Sequence, residues 1–77
     1  MTNLILYTTI GCHLCECAAT MLDQAAETNQ FDLQTVDICI DKVLVDKYGI
    51  RIPVVKNVAT NVELGWPFSA DELLSLI

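Results

Sequence analysis

The change of period between Leu4 and Ile38 restricts what this chain can fold into more than any other feature. Leu4 to Thr8 is a short apolar run of strand character. Apolar side chains then recur at helical spacing, at Leu14, Cys17, Ala18, Met21, Leu22 and Ala25, a stripe that runs to about Asn29. Phe31 to Ile38 returns to strand character. Two strands joined by a helix must lie parallel, and the crossover between them is right-handed, so their carboxyl ends share one side of the sheet. The segment that leaves the first strand at that side is Gly11-Cys12-His13-Leu14-Cys15.

The second half punctuates itself differently. Asp41 suits the N-cap of a short helix through Tyr48, and Gly49 suits the left-handed position that would end it. Ile50 to Lys56 and Asn61 to Leu64 read as strands, and the turn formers Asn57 and Asn61 between them favour an antiparallel hairpin. Ser69 and Glu72 have the spacing of a capping box, with Phe68 and Leu73 at the staple positions and Leu73, Leu74 and Ile77 predicted to face inward. The predicted order is β-α-β-α-β-β-α, an α/β domain over residues 1–77. At 77 residues a core is feasible but small, so a hydrophobic content of 53% has to be used efficiently.

Two cysteines three apart at a helix start share one turn, close enough to bridge, and the unpaired N–H groups there favour a thiolate on the first. Four cysteines, about 5% of the chain, fall below the roughly 8–10% of disulfide scaffolds. Three of them, Cys12, Cys15 and Cys17, are too close together for a bridge that constrains the unfolded chain. Cys17 lies about 140° around the helix from Cys12 and is predicted to be a small buried hydrophobe. Cys39 follows the second strand at the Cys12 end, an ordinary buried or loop cysteine unless it serves as a regulatory thiol. A net charge of −6 repels phosphate backbones and anionic lipid, which argues against nucleic acid and membrane partners. With no cationic leader and no apolar run of about 20 residues, the chain is expected to be soluble and cytoplasmic.

Cys-X-X-Cys after the first strand, Ile52-Pro53 entering the third, and a parallel pair followed by a hairpin form the layout of the thioredoxin superfamily. Gly-Cys-His-Leu-Cys, Tyr-Gly-Ile-Arg-Ile-Pro-Val and Glu-Leu-Gly-Trp-Pro-Phe together resemble short bacterial glutaredoxin-like proteins over nearly the whole chain. The resemblance implies a glutaredoxin-type, thioredoxin-like fold: a four-stranded mixed sheet with three helices. It implies thiol–disulfide exchange in which Cys12 is the nucleophile and Cys15 resolves the mixed disulfide. It also implies a cis Ile52–Pro53 bond facing the active cysteine, with the Ile52 backbone free to pair with an extended substrate.

His13 beside Cys12 is a candidate for tuning the thiol, against the alternative of a solvated histidine. Arg51 is a candidate for offsetting the acidic surface or receiving a substrate carboxylate, against a plain surface charge. Trp66 is a candidate partner contact, and Ser69 and Asp71 candidate ligands for a carboxylate or amine. The usual glutaredoxin residues for glutathione are a lysine before the cysteines, a proline after the first, and a Gly-Gly with acidic residues after the last strand. Here those stretches are Thr8-Thr9, Cys12-His13 and Gly65-Trp66-Pro67, so glutathione is only a candidate co-substrate. The expected partners are a protein or small-molecule disulfide and a reductant, either glutathione or a thioredoxin-reductase type of enzyme, acting on a monomer without a bound cofactor. Two rival readings are a metal or iron–sulfur site built from Cys12, Cys15, Cys17 and Cys39, and a redox-inactive module that docks partners at Pro53, Trp66 and Phe68. The first is weakened because Cys17 should point away from the others and no second Cys-X-X-Cys knuckle is present.

Overall fold

Alternation along the first strand sets the layering. In a computed structural model describing residues 1–77, β1 (Thr2–Thr8) packs Leu4 and Leu6 into one apolar cluster and Ile5 and Tyr7 into another, on its opposite face. The first cluster is completed by α1 (His13–Ala26) and α3 (Ala70–Leu76) through Ala18, Leu22, Leu73 and Leu76. The second is completed by α2 (Lys42–Tyr48) through Leu44 and Tyr48. Helices therefore cover both faces of one sheet.

The sheet has the order β2-β1-β3-β4, with β2 at Phe31–Asp37, β3 at Val54–Asn57 and β4 at Glu63–Gly65. β1 and β2 are parallel in the register Thr2↔Phe31 to Thr8↔Asp37. β3 runs antiparallel to β1, ending with Tyr7↔Val54, and β4 is antiparallel to β3. The carboxyl ends of β1, β2 and β4 and the start of β3 thus lie at one end of the sheet. The element order is the expected one, with one addition, a 3₁₀ turn at Ile38–Ile40 that ends β2 one residue early.

Several local expectations are corrected. Helix α1 stops at Ala26 because Glu27 and Thr28 donate to carbonyls three residues back, tightening the last turn. Gly49 is not left-handed: its φ is −48°, and its N–H donates to the Val45 carbonyl. Glycine is needed there because a Cβ would stand 2.5 Å from that same oxygen. Ile50 to Ile52 do not extend β3, since the N–H groups of Arg51 and Ile52 both donate to the Tyr48 carbonyl and wrap the end of α2. β4 begins at Glu63 rather than Asn61, which has a φ of 61° in the turn. In α3 Leu73 faces inward as expected and Leu76 joins it, whereas Leu74 is half exposed. The capping box of Ser69 and Glu72 is present in both directions.

Candidate active site

The turn from β1 into α1 is built from its glycine. Gly11 has a φ of +80°, and a Cβ there would meet nothing within 4 Å, so the requirement is conformational rather than steric. Cys12 follows as the extended N-cap of α1, and its sulfur accepts the Cys15 N–H at 3.2 Å, replacing the oxygen of a usual cap. Cys12 and Cys15 are joined as a disulfide with their Cα atoms 5.2 Å apart. Cys12 is half-buried, while Cys15 is only 4% exposed and faces inward with Ala18 and Leu22. Beside the pair lies a groove of about 320 Å³ walled by Thr8, Thr9, Ile10, Glu16 and Ala19.

The start of β3 lies outside that groove, on the other side of β1. The Ile52–Pro53 bond is cis, and Pro53 stands at the same sheet end as Cys12, one residue before the Tyr7–Val54 pair. The Pro53 carbonyl accepts the Trp66 N–H at 3.1 Å, tying this loop to the end of β4. The Ile52 backbone is only half free, because its N–H is held by Tyr48, while its carbonyl has no backbone donor. Beneath the loop, the Tyr48 hydroxyl donates to Glu63, whose other oxygen lies 3.8 Å from the Arg51 guanidinium. The Tyr48 ring stacks on Tyr7 at 4.2 Å between centroids. Burial, then hydrogen bonding to Glu63 and Tyr7, pushes the Tyr48 hydroxyl's pKa upward, so the group stays neutral and keeps donating.

The remaining candidates fall on both sides of the expectation. His13 is 85% exposed and leans on Glu16 at 3.7 Å. Arg51 is engaged by Glu63 and lies over the Tyr48 ring. Ser69 uses its hydroxyl to cap the Glu72 N–H, and Asp71 is exposed in the first turn of α3. Trp66 packs edge-on against Phe68 with its ring half-buried. Cys17 is half-buried and outside both apolar clusters, contrary to its predicted core position. At 3.6 residues per turn it lies roughly 130° from the direction shared by Cys15, Ala18 and Leu22. Leu14 is likewise half exposed rather than part of the buried stripe. No three His, Cys, Asp or Glu side chains converge closely enough to hold a metal ion, so the four-cysteine centre has no geometric basis.

Sequence reasoning missed three features. The Trp66–Pro67 bond is also cis. The cluster of Tyr7, Tyr48, Arg51 and Glu63 joins three separate segments, β1, the end of α2 with its following turn, and β4, and no local pattern announces it. Cys39 is exposed, and its sulfur lies 3.2 Å from the Thr9 hydroxyl; the parallel pairing of Thr8 with Asp37 was the available signal that these two loops meet.

Residues 3–77 match the family described as Glutaredoxin-like domain (DUF836). Among solved structures, the chain is similar to the Northeast Structural Genomics target protein XcR50 from X. campestris, at 39% identity over 94% of this chain and 91% of that one, with a TM-score of 0.77. It is also similar to protein Ne2328 from Nitrosomonas europaea, at 28% identity over 96% and 88% of the two chains and a TM-score of 0.84. A mutant thioredoxin from Halobacterium salinarum NRC-1 shares the fold at 20% identity, 99% and 71% coverage and a TM-score of 0.73. No curated protein matches the chain. The sheet order, the three helices and these neighbours make the fold thioredoxin-like.

Proposed function

The chain belongs to the glutaredoxin-like domain family, and from that premise we propose that it is a thiol–disulfide oxidoreductase working through Cys12 and Cys15. One observation carries the reading: the two cysteines are within bonding reach across the first turn of α1, with the first accessible and the second buried. In the reduced form the Cys12 thiolate attacks one sulfur of a substrate disulfide. That bond breaks, a mixed disulfide with Cys12 forms, and the other substrate sulfur leaves as a thiolate. Cys15 then loses its proton and attacks the Cys12 sulfur. This closes the Cys12–Cys15 bond and releases the second substrate sulfur. Two electrons pass from the dithiol to the substrate, whose thiolates take up the two protons. An external thiol, glutathione or the dithiol of a reductase, reopens the pair.

The protein's own residues supply the setting. The Cys15 N–H, directed at the Cys12 sulfur, favours negative charge there as the helix start does generally. The Ile52 carbonyl beside the cis bond is an acceptor for an extended substrate backbone. No bound cofactor is called for, and a monomer in a reducing compartment suffices. No helix of the chain is long and apolar enough to cross a membrane.

Redox titration with alkylation and peptide mass mapping tests the proposal. A reversible Cys12–Cys15 couple with a midpoint roughly between −270 and −180 mV is expected. Cys12→Ser should abolish exchange with a small disulfide, and Cys15→Ser should accumulate the mixed disulfide on Cys12. A pair that stays reduced throughout the titration would refute it.

A further inference from the structure

Each connection that meets Cys12's end of the sheet at β1, β2 and the start of β3 carries an exposed isoleucine. Ile10 precedes Cys12, Ile40 closes the 3₁₀ turn after β2, and Ile50 lies between α2 and Pro53. Ile10 is 92% and Ile40 76% exposed, and Ile50 is fully exposed; apart from Met1, no other large hydrophobic side chain of the chain reaches these values. The contact between Thr9 and Cys39 brings the Ile10 loop against the Ile40 turn, and Leu14, inside the Cys-X-X-Cys segment, is half exposed. Single exposed apolar residues are ordinary. Three on connections at one end of the sheet, one of them (Ile10) lining the groove beside Cys12 and none used by the core, are not explained by folding.

The charges at the same end have one dominant sign. The groove beside Cys12 contains the Glu16 carboxylate and no cation. Asp37, Asp41 and Asp71 stand at element ends on this side of the sheet. Of the four basic residues, Arg51 is paired with Glu63 and Lys56 sits within β3, which leaves Lys42 and Lys47 on α2, none of them lining the groove. Glutathione, with two carboxylates and one ammonium per tripeptide, is a net anion and finds little counter-charge here.

We infer that this face selects a polypeptide substrate whose disulfide is flanked by apolar side chains and nearby basic residues, in preference to glutathione disulfide. The inference rests on the exchange reading above and supplies its substrate class. The apolar rim receives the flanking side chains, and the acidic surface attracts the basic ones. A second copy of this chain fits less well, because two chains of net charge −6 repel. The electrons move as already written: the polypeptide disulfide is reduced to two thiols and Cys12–Cys15 is oxidised.

The experiment follows single-turnover oxidation of the reduced full chain by four probes: bis(2-hydroxyethyl) disulfide, glutathione disulfide, and two decapeptides with an intramolecular disulfide. One decapeptide has Leu and Val beside its cysteines and two Lys; the other has Ser in place of the Leu and Val and Glu in place of the Lys. The Leu/Val/Lys peptide should react about tenfold faster than the Ser/Glu peptide and than glutathione disulfide, a difference of about 1.4 kcal/mol in barrier. In the triple variant Ile10→Ser, Ile40→Ser, Ile50→Ser, the rate ratio of the Leu/Val/Lys peptide to bis(2-hydroxyethyl) disulfide should fall about tenfold. Equal rates for the two peptides, or a faster reaction with glutathione disulfide, would overturn the inference while leaving the exchange reading intact. A dimer that dissociates in the triple variant, with no peptide preference, would assign the rim to a second copy and also overturn it. No oxidation by any of the four probes would refute the exchange reading, and this inference with it.

Discussion

Tyr48→Phe removes one oxygen from beneath the Pro53 loop and leaves the ring in place. The ring is 1% exposed and stacked on Tyr7, so the substitution opens no cavity. What is lost is a hydrogen bond to a carboxylate, a type worth about 1.5–3 kcal/mol. The Glu63 side chain is 19% exposed and keeps Arg51 at 3.8 Å, so part of its solvation survives and the lower half of that range, about 1.5–2 kcal/mol, applies. For a domain of this length, whose total stability is roughly 4–12 kcal/mol, that is a large fraction. The melting temperature should fall by roughly 6–15 °C. The pH dependence gives an independent check. The folded-state pKa of Tyr48 is raised, so its stabilisation is fully present below the unfolded value of about 10 and is lost as the pH rises beyond it. By pH 11 the wild-type chain should have lost about 1.4 kcal/mol that the phenylalanine variant cannot lose, and the gap between them should nearly close. Urea unfolding of both proteins at pH 7, 10 and 11 measures this. A gap below about 0.5 kcal/mol at pH 7, or one that stays constant to pH 11, would refute the account of this cluster.

Other substitutions probe the remaining joints. Asn57→Leu strips the Leu76 carbonyl of its buried donor and the Ala59 and Thr60 N–H groups of their acceptor, so about 2–3 kcal/mol should be lost in urea unfolding. Gly11→Ala forces a side chain into a left-handed turn with free space around it; about 1–2 kcal/mol of conformational cost is expected, and a neutral result would mean the turn can readjust. Cys17→Ser should change stability by no more than about 0.5 kcal/mol and leave exchange intact, whereas a loss above about 2 kcal/mol would return Cys17 to the core.

The parts of this molecule legible in its sequence are those governed by neighbours along the chain. The strand–helix–strand alternation, the cap at Asp41, the capping box of Ser69 and Glu72, and the position of Cys12 and Cys15 on one helical turn each follow from contacts within a few residues. Even there, direction around a helix was less secure than the helix itself. Cys17 and Leu74 share their stripes in sequence, yet lie outside the buried faces, because the side a helix buries depends on the sheet it meets.

Element order, the parallel pair and the seat of a Cys-X-X-Cys segment at a helix start follow from backbone geometry and hydrophobic period, which act locally. The other features arise only where distant segments pack together. Tertiary packing gives the turn former Asn57 a second role, as the donor that holds the end of α3, and it spends the Ile52 N–H on the Tyr48 carbonyl. It joins Tyr7, Tyr48, Arg51 and Glu63, and it brings the connections that carry Ile10, Ile40 and Ile50 to one end of the sheet. Each of these depends on groups brought together by strand register and layer packing, and neither is visible until separate segments meet across the same sheet.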